Sequence, residues 1–284
     1  KMIYYRMLPC KNSYPMSGEK TRAMNRPSMK LFLAFLSACF LLAGAQSSLA
    51  MDGLTLARKV YERDDGRDSY AEIRMLLIDK RGKRRIRSMI SATKDFGKLS
   101  KSLIRFTSPA DIKNTVFLTW ENEDRDDDQF LYLPALRRVR RIVSKQKTNR
   151  FVNTDYTYED MQKRKVEKDN HKLLRSESFK KYDCWVLESI PKKAGASQYG
   201  KRISWVIKDI FVTVKTNFYD KKDKLIKGFV IHDLKKIDGI YTILESEMRD
   251  FKRKHRTFMK TDAIRYNRGI PDKVFTRRYL KSPK

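Results

Sequence analysis

The sequence is short of several residue types at once. Its 284 residues include only three Cys, three His, eight Pro and eleven Gly. Three Cys are too few for a disulfide scaffold, and so few Gly and Pro exclude a collagen-like or low-complexity chain. His171, His232 and His255 stand at no metal-ligand spacing with one another or with a Cys. No G-x-S-x-G, P-loop, G-x-G-x-x-G or C-x-x-C occurs. Catalysis, a cofactor and a metal therefore have no constellation to rest on, and the chain reads as a non-enzyme. Only one long apolar run exists, which excludes a multi-span membrane protein. Acidic residues are the last shortage, 34 against 64 Lys and Arg, for a net charge of +30.

What is present is a foldable composition. With 40% hydrophobic and 11% aromatic residues, the chain is no disordered polyelectrolyte. The apolar run 31–45 (LFLAFLSACFLLAGA) follows Arg26 and Lys30 and precedes Ser48-Leu49-Ala50. A charged flank, a short apolar stretch and a small-x-Ala site make a secretory signal peptide, cleaved after Ala50. An uncleaved anchor and lipidation at Cys39, within Leu36-Ser37-Ala38-Cys39, are the competing readings. Residues 1–28 read as an extension with neither structural nor targeting character, 29–50 as the signal peptide and 51–284 as one domain. Removing 1–50 leaves 57 basic against 33 acidic residues, a net +24, so the excess belongs to the folded part. Cys184 is then the one remaining cysteine. Its apolar neighbours Trp185, Val186 and Leu187 suggest a small core residue rather than a nucleophile.

Beyond residue 51 the helical period is confined to 54–63, where Leu56, Ala57, Val60 and Tyr61 share a face. Strand-like runs follow at 70–79, 84–92, 99–106, 116–121, 129–133 and 138–143. After a polar middle they resume at 172–179, 184–190, 202–208, 212–219, 225–234, 240–249 and 257–265. Short turns such as Asp79-Lys80-Arg81-Gly82 and Asp238-Gly239 join them, as in an antiparallel meander. So many strands curl into a barrel or an open half-barrel rather than lie flat. Arg202, Ser204, Val206 and Lys208 alternate with Ile203, Trp205 and Ile207, which predicts one apolar face and one basic, solvated face.

The densest information lies between Phe106 and Met161. Asp124, Asp126, Asp127 and Asp128 lack the Gly and terminal Glu of a calcium loop and read as a turn between strands. Arg137, Arg138, Arg140 and Arg141 follow immediately. They suit phosphates or an acidic partner, and suit equally well pairing with acids on the same surface. The strings FTSPADIKNT with FLTW, DDDQFLYLPALRRVRRI and TDYTYEDM resemble the outer-membrane lipoprotein-sorting family, relatives of the periplasmic carrier LolA. Cys184-Trp185-Val186-Leu187, Asn217-Phe218-Tyr219-Asp220 and Gly269-Ile270-Pro271-Asp272 agree with it, so the likeness covers nearly all of 55–280.

The resemblance implies a mainly β, incompletely closed antiparallel barrel with a few helices covering a hydrophobic cavity. It also implies a periplasmic carrier of lipoproteins or other lipids, working with an inner-membrane transporter of the resistance-nodulation-division type. Candidate acyl-chain contacts are the apolar strand positions Phe117, Leu118, Trp120, Phe130, Leu131, Leu133, Val206 and Phe218. Arg137, Arg138, Arg140 and Arg141 are the candidate contacts to a partner or to anionic headgroups of a membrane surface. A nucleic-acid-binding module is the alternative that the charge alone permits. Export and the lack of aromatics interleaved with the basic residues count against it. An envelope protein that moves no cargo is a further alternative.

Overall fold

The structure is a computed structural model that describes residues 51–282. The proposed signal peptide, the extension before it and Cys39 lie outside the described residues. Among the described residues no helix is long and apolar enough to cross a membrane.

The chain opens on helix α1 (Gly53–Tyr61), whose N-cap Asp52 accepts a hydrogen bond from the Thr55 amide at 2.6 Å. Leu56 and Ala57 are buried on its inward face. Six strands follow: β1 (Asp68–Ile78), β2 (Arg84–Phe96), β3 (Leu99–Ser108), β4 (Val116–Trp120), β5 (Asp128–Leu133) and β6 (Arg138–Arg141). Seven more come after a long irregular segment: β7 (Asp169–Phe179), β8 (Tyr182–Pro191), β9 (Lys201–Ile207), β10 (Thr213–Tyr219), β11 (Leu225–Ile237), β12 (Ile240–Asp250) and β13 (His255–Tyr266). Every run that alternation and turn chemistry mark as a strand is one.

All thirteen strands form one open, curved antiparallel sheet, ordered β6-β5-β4-β3-β2-β1-β13-β12-β11-β10-β9-β8-β7. Two meanders are thus spliced where β1 pairs with β13, Met75 opposite Met259 and Leu77 opposite Thr257. Bulges interrupt the ladders in β1, β7, β10 and β11, and such insertions bend a strand and increase its twist. The edges β6 and β7 are joined by residues 142–168, which cross one face of the sheet.

That crossing segment fills the face it covers. Phe151, Tyr156 and Tyr158 pack among Met75, Leu77, Met89, Phe106, Phe117 and Met248 in a single cluster. The opposite face at β3–β5 is covered by the C-terminal segment, where Phe275 and Leu280 bury against Leu103, Leu118 and Phe130.

Two expectations are corrected here. The cover is one α-helix plus irregular chain with short 3₁₀ turns, not a few helices, because residues 142–168 are pinned by side-chain hydrogen bonds instead of helical periodicity. The sheet also has no simple division into an apolar and a basic face. Trp205, Val206 and Ile207 are all buried although successive side chains point to opposite sides. Arg202 is drawn into an ion pair with Asp169, and the ammonium of Lys215 lies 3.9 Å above the Trp205 ring.

Candidate functional site

The TDYTYEDM string proves to be the anchor of the crossing segment. Asp155, fully buried, accepts hydrogen bonds from His255 Nδ1 (2.6 Å) and Thr257 Oγ1 (2.7 Å) and pairs with Arg253 (3.1 Å). Asp160 accepts from Tyr199 Oη at 2.7 Å and from Lys227 Nζ at 3.1 Å, and also from the Thr157 amide and hydroxyl. Glu159 accepts from the Ser197 hydroxyl and the Gln198 amide. Gln129, buried in β5, donates to the Tyr158 carbonyl at 2.8 Å. Burial and the nearby Asp160 carboxylate push the Tyr199 phenol well above its ordinary value, so it stays a donor. Asp155 and Asp160 thus tie this segment to strands of the sheet, and Glu159 ties it to the loop before β9.

Beside the filled region a cleft stays open. It measures about 330 Å³ and lies between α1, residues 163–166 and strands β7–β10. Its apolar wall is Ala57 and Val60 from the helix, Val166 from the crossing segment, and Leu187, Val206 and Phe218 from the sheet. Gly53 lets the helix lie directly on β7: a Cβ there would stand 2.6 Å from the Lys172 nitrogen and 2.7 Å from the His171 carbonyl oxygen. One end of the cleft is polar. Asp169 is clasped by Arg164, with Nη2 at 2.6 Å and Nε at 2.8 Å, and also by Arg202. Burial pulls the Asp169 carboxyl upward, but the Arg164 hydrogen bonds and both guanidinium charges outweigh it and hold it below its ordinary value. His171 donates from Nε2 to the Val166 carbonyl (2.9 Å), and its Nδ1 shares a hydrogen bond with the Ser189 hydroxyl (2.9 Å). The arrangement can shelter an apolar chain and meet one polar group at its end.

The eight apolar candidates from the sequence are not all brought together. Val206 and Phe218 line the cleft, and Phe218 also packs in the cluster around the crossing segment, its ring 4.8 Å from Tyr199. Phe117, Leu131 and Leu133 belong to the cluster around the crossing segment, with the Phe117 ring 5.0 Å from Phe151 and 5.6 Å from Tyr158. Leu118, Trp120 and Phe130 stand on the other face beneath the C-terminal segment, where the Trp120 indole donates to the Phe275 carbonyl at 2.8 Å. Leu187, Arg202 and Asp169 were not singled out from sequence. The signal for the last two was available: a basic residue on the same strand face as Val206 needs a buried acid to accompany it.

The arginine run divides as well. Arg141 and Arg125 both pair with Asp128, whose carboxyl is held down to about 2 by the Arg125 and Arg141 hydrogen bonds. Asp126 pairs with Lys147 and Lys168, so the acidic run is the ion-paired turn between β4 and β5. Arg137, Arg138 and Arg140 instead line an open basin with Arg277, Arg278 and Lys281 from the C-terminal segment.

Comparison with known proteins fits this geometry. A family model described as an uncharacterized protein matches residues 98–282. A DUF1329 family protein from Desulfovibrio piger is 34% identical, with a TM-score of 0.76, covering 80% of this chain and 97% of its own. An outer membrane lipoprotein-sorting protein domain from Vibrio parahaemolyticus is 32% identical at a TM-score of 0.76, covering 81% of this chain and 98% of its own. A LolA superfamily protein from Nitrosomonas europaea shares the fold at 19% identity and a TM-score of 0.64, over 81% of this chain and all of its own. No curated protein sequence matches. On the first two likenesses, the chain belongs to the DUF1329 family, and it shares its fold with the LolA superfamily protein.

Proposed function

We propose that this protein is a periplasmic carrier that takes up an acyl chain of a lipoprotein or other lipid in the cleft between α1 and β7–β10. It acts by binding, without catalysis. The observation that carries this reading is the cleft itself: an apolar wall of Val60, Val166, Leu187, Val206 and Phe218 closed at one end by Arg164, Asp169 and Arg202. A volume of about 330 Å³ lies at the lower end of small-molecule pockets. Each methylene moved into it from water contributes ~0.8 kcal/mol, enough to hold a chain without a covalent step. The guanidinium at the end suits the ester or phosphate of a lipid headgroup.

Family membership supports the same reading, and the apolar run 31–45 supports export to the periplasm. An inner-membrane transporter of the resistance-nodulation-division type is the partner we assign for loading or unloading. Among the sequence candidates, Val206 and Phe218 contact cargo directly. Phe117, Leu131 and Leu133 would do so only if the crossing segment withdrew, and Leu118, Trp120 and Phe130 serve the opposite face.

The test is solvent extraction and mass spectrometry of lipid that copurifies with the protein, compared with Thr213→Phe, which fills the cleft from a half-buried position. Lipid present in the parent and reduced several-fold in the variant is expected. Equal recovery from both would refute the cleft assignment.

A further inference from the structure

The β5–β6 hairpin and the C-terminal segment place six cations around one basin of about 910 Å³: Arg137, Arg138, Arg140, Arg277, Arg278 and Lys281. All six are exposed. Asp128, the acid nearest in sequence to the arginine run, is taken by Arg125 and Arg141, and among the described residues no ion pair reaches any of the six. Charge on an unpaired edge strand guards against edge-to-edge aggregation, which would account for Arg138 and Arg140. It does not account for Arg277, Arg278 and Lys281, which belong to no strand. The Arg277 guanidinium stands 5.0 Å from the Phe130 ring and so holds the C-terminal cations against the hairpin.

A second feature adjoins the basin. Leu136, at the tip of the hairpin, is 57% exposed, and Val143, just past the end of β6, is 53% exposed. The tip is shaped by the 3₁₀ turn Pro134–Leu136 and by Arg137 in the left-handed conformation. Bare apolar side chains set among uncompensated cations are the composition of an interfacial membrane contact.

We infer that this surface docks on an anionic lipid bilayer, with headgroup phosphates in the arginine basin and Leu136 entering the acyl boundary. Arginine's planar fork matches phosphate oxygens, and each cation near an anionic leaflet adds to the attraction. The inference rests on the carrier reading only in supposing that the protein meets a bilayer.

The experiment uses the full chain carrying Leu136→Trp and a local readout, so that the apolar run 31–45 cannot produce the signal. Vesicles of phosphatidylglycerol and phosphatidylcholine with brominated acyl chains are added, with phosphatidylcholine-only vesicles as the comparison. The introduced indole is expected to be quenched by the anionic vesicles alone, beyond any change in the parent's own tryptophans, and less so in high salt. Replacing Arg137, Arg138 and Arg140 by Gln should raise the lipid needed for half-quenching on the order of a hundredfold. Arg277→Gln with Arg278→Gln, far from the hairpin in sequence, should raise it on the order of tenfold or more. All these positions are exposed, and unchanged melting temperatures would show that the fold is kept.

Absence of quenching, equal quenching by neutral vesicles, or quenching indifferent to both sets of substitutions would overturn the inference. So would saturation of the basin by an acidic peptide with no response to vesicles, which would assign the surface to a protein partner. Recovery of cleft-bound lipid is measured separately, so an empty cleft with intact quenching refutes the carrier and leaves the docking surface standing.

Discussion

Replacing Asp155 should separate the crossing segment from the sheet. The carboxylate is wholly buried and serves three partners, His255 Nδ1 at 2.6 Å, Thr257 Oγ1 at 2.7 Å and Arg253 at 3.1 Å. Asp155→Ala strands the buried His255 and leaves the buried Thr257 hydroxyl only the residue 155 amide, while the Arg253 side chain, 31% exposed, can turn to water. Breaking a buried charged pair costs about 3 to 5 kcal/mol, and the escape of Arg253 places this case at about 3. With a urea slope of about 3 kcal/mol/M for a domain of this size, the midpoint should fall by about 1 M. Asp155→Asn keeps one acceptor and should lose about half as much. If the loss is local, trypsin should cut at Lys145, Lys147 or Arg150 on the order of a hundredfold faster, because cleavage follows the open population. A loss below about 1 kcal/mol together with unchanged cleavage would refute the anchoring role.

Three further outcomes follow from the same contacts. Asp126, through Lys147 and Lys168, and Asp128, through Arg125 and Arg141, titrate near 2 in the fold against an ordinary 3.8. Their folded values are depressed, so their contribution is whole above about pH 4 and is lost as pH falls toward 2. Melting temperature against pH should steepen in that window and flatten with Arg125→Gln, and a slope unaltered by that change would count against the assignment. Gly53→Ala should cost about 1 to 3 kcal/mol by forcing α1 off the His171–Lys172 backbone, read as a lower urea midpoint. Trp120→Phe should cost about 1 kcal/mol through the lost bond to the Phe275 carbonyl and expose the C-terminal segment to carboxypeptidase, with the sheet's circular dichroism unchanged.

The strands were legible because alternation and turn residues are local. The splice of β1 with β13 was not, since Met75 and Met259 meet across the whole domain and no local pattern records it. Nor was the filling of the sheet by residues 142–168. Phe151, Tyr156 and Tyr158 carry neither a helical nor a strand period, and their burial depends on polar anchors whose partners, Lys227, Arg253, His255 and Thr257, lie far along the chain. The scatter of the apolar candidates, by contrast, was available beforehand. Phe117 and Leu118 are adjacent in one strand, as are Phe130 and Leu131, so neither pair can face one cavity. An apolar run such as Val116-Phe117-Leu118 signals a strand covered on both sides, and two covers are what the crossing and C-terminal segments provide.

The charge excess sorts into two populations that answer different needs. Lys227, Arg253 and Arg202 each sit against a buried carboxylate, and Arg87 donates to the Val152 carbonyl at 2.5 Å. These cations hold the crossing segment and the cleft, and most of them are neutralised where they stand. A cation that is matched by an acid adds nothing to the net charge of +24 that residues 51–284 carry. The excess must come from residues such as Arg137, Arg138, Arg140, Arg277, Arg278 and Lys281, which are exposed and, among the described residues, have no acid paired with them. Scattered singly, such residues would signify solubility alone. Gathered from two distant parts of the chain into one basin, they repel one another in the free protein, and an anionic surface relieves that repulsion on contact. The hairpin that bears three of them ends at Arg141, and Ile142, the first residue of the crossing segment, is tied to Gln129 of the same hairpin by its amide at 2.8 Å. The docking basin and the segment that fills the sheet are therefore one continuous piece of chain, so a force on the first acts at the root of the second.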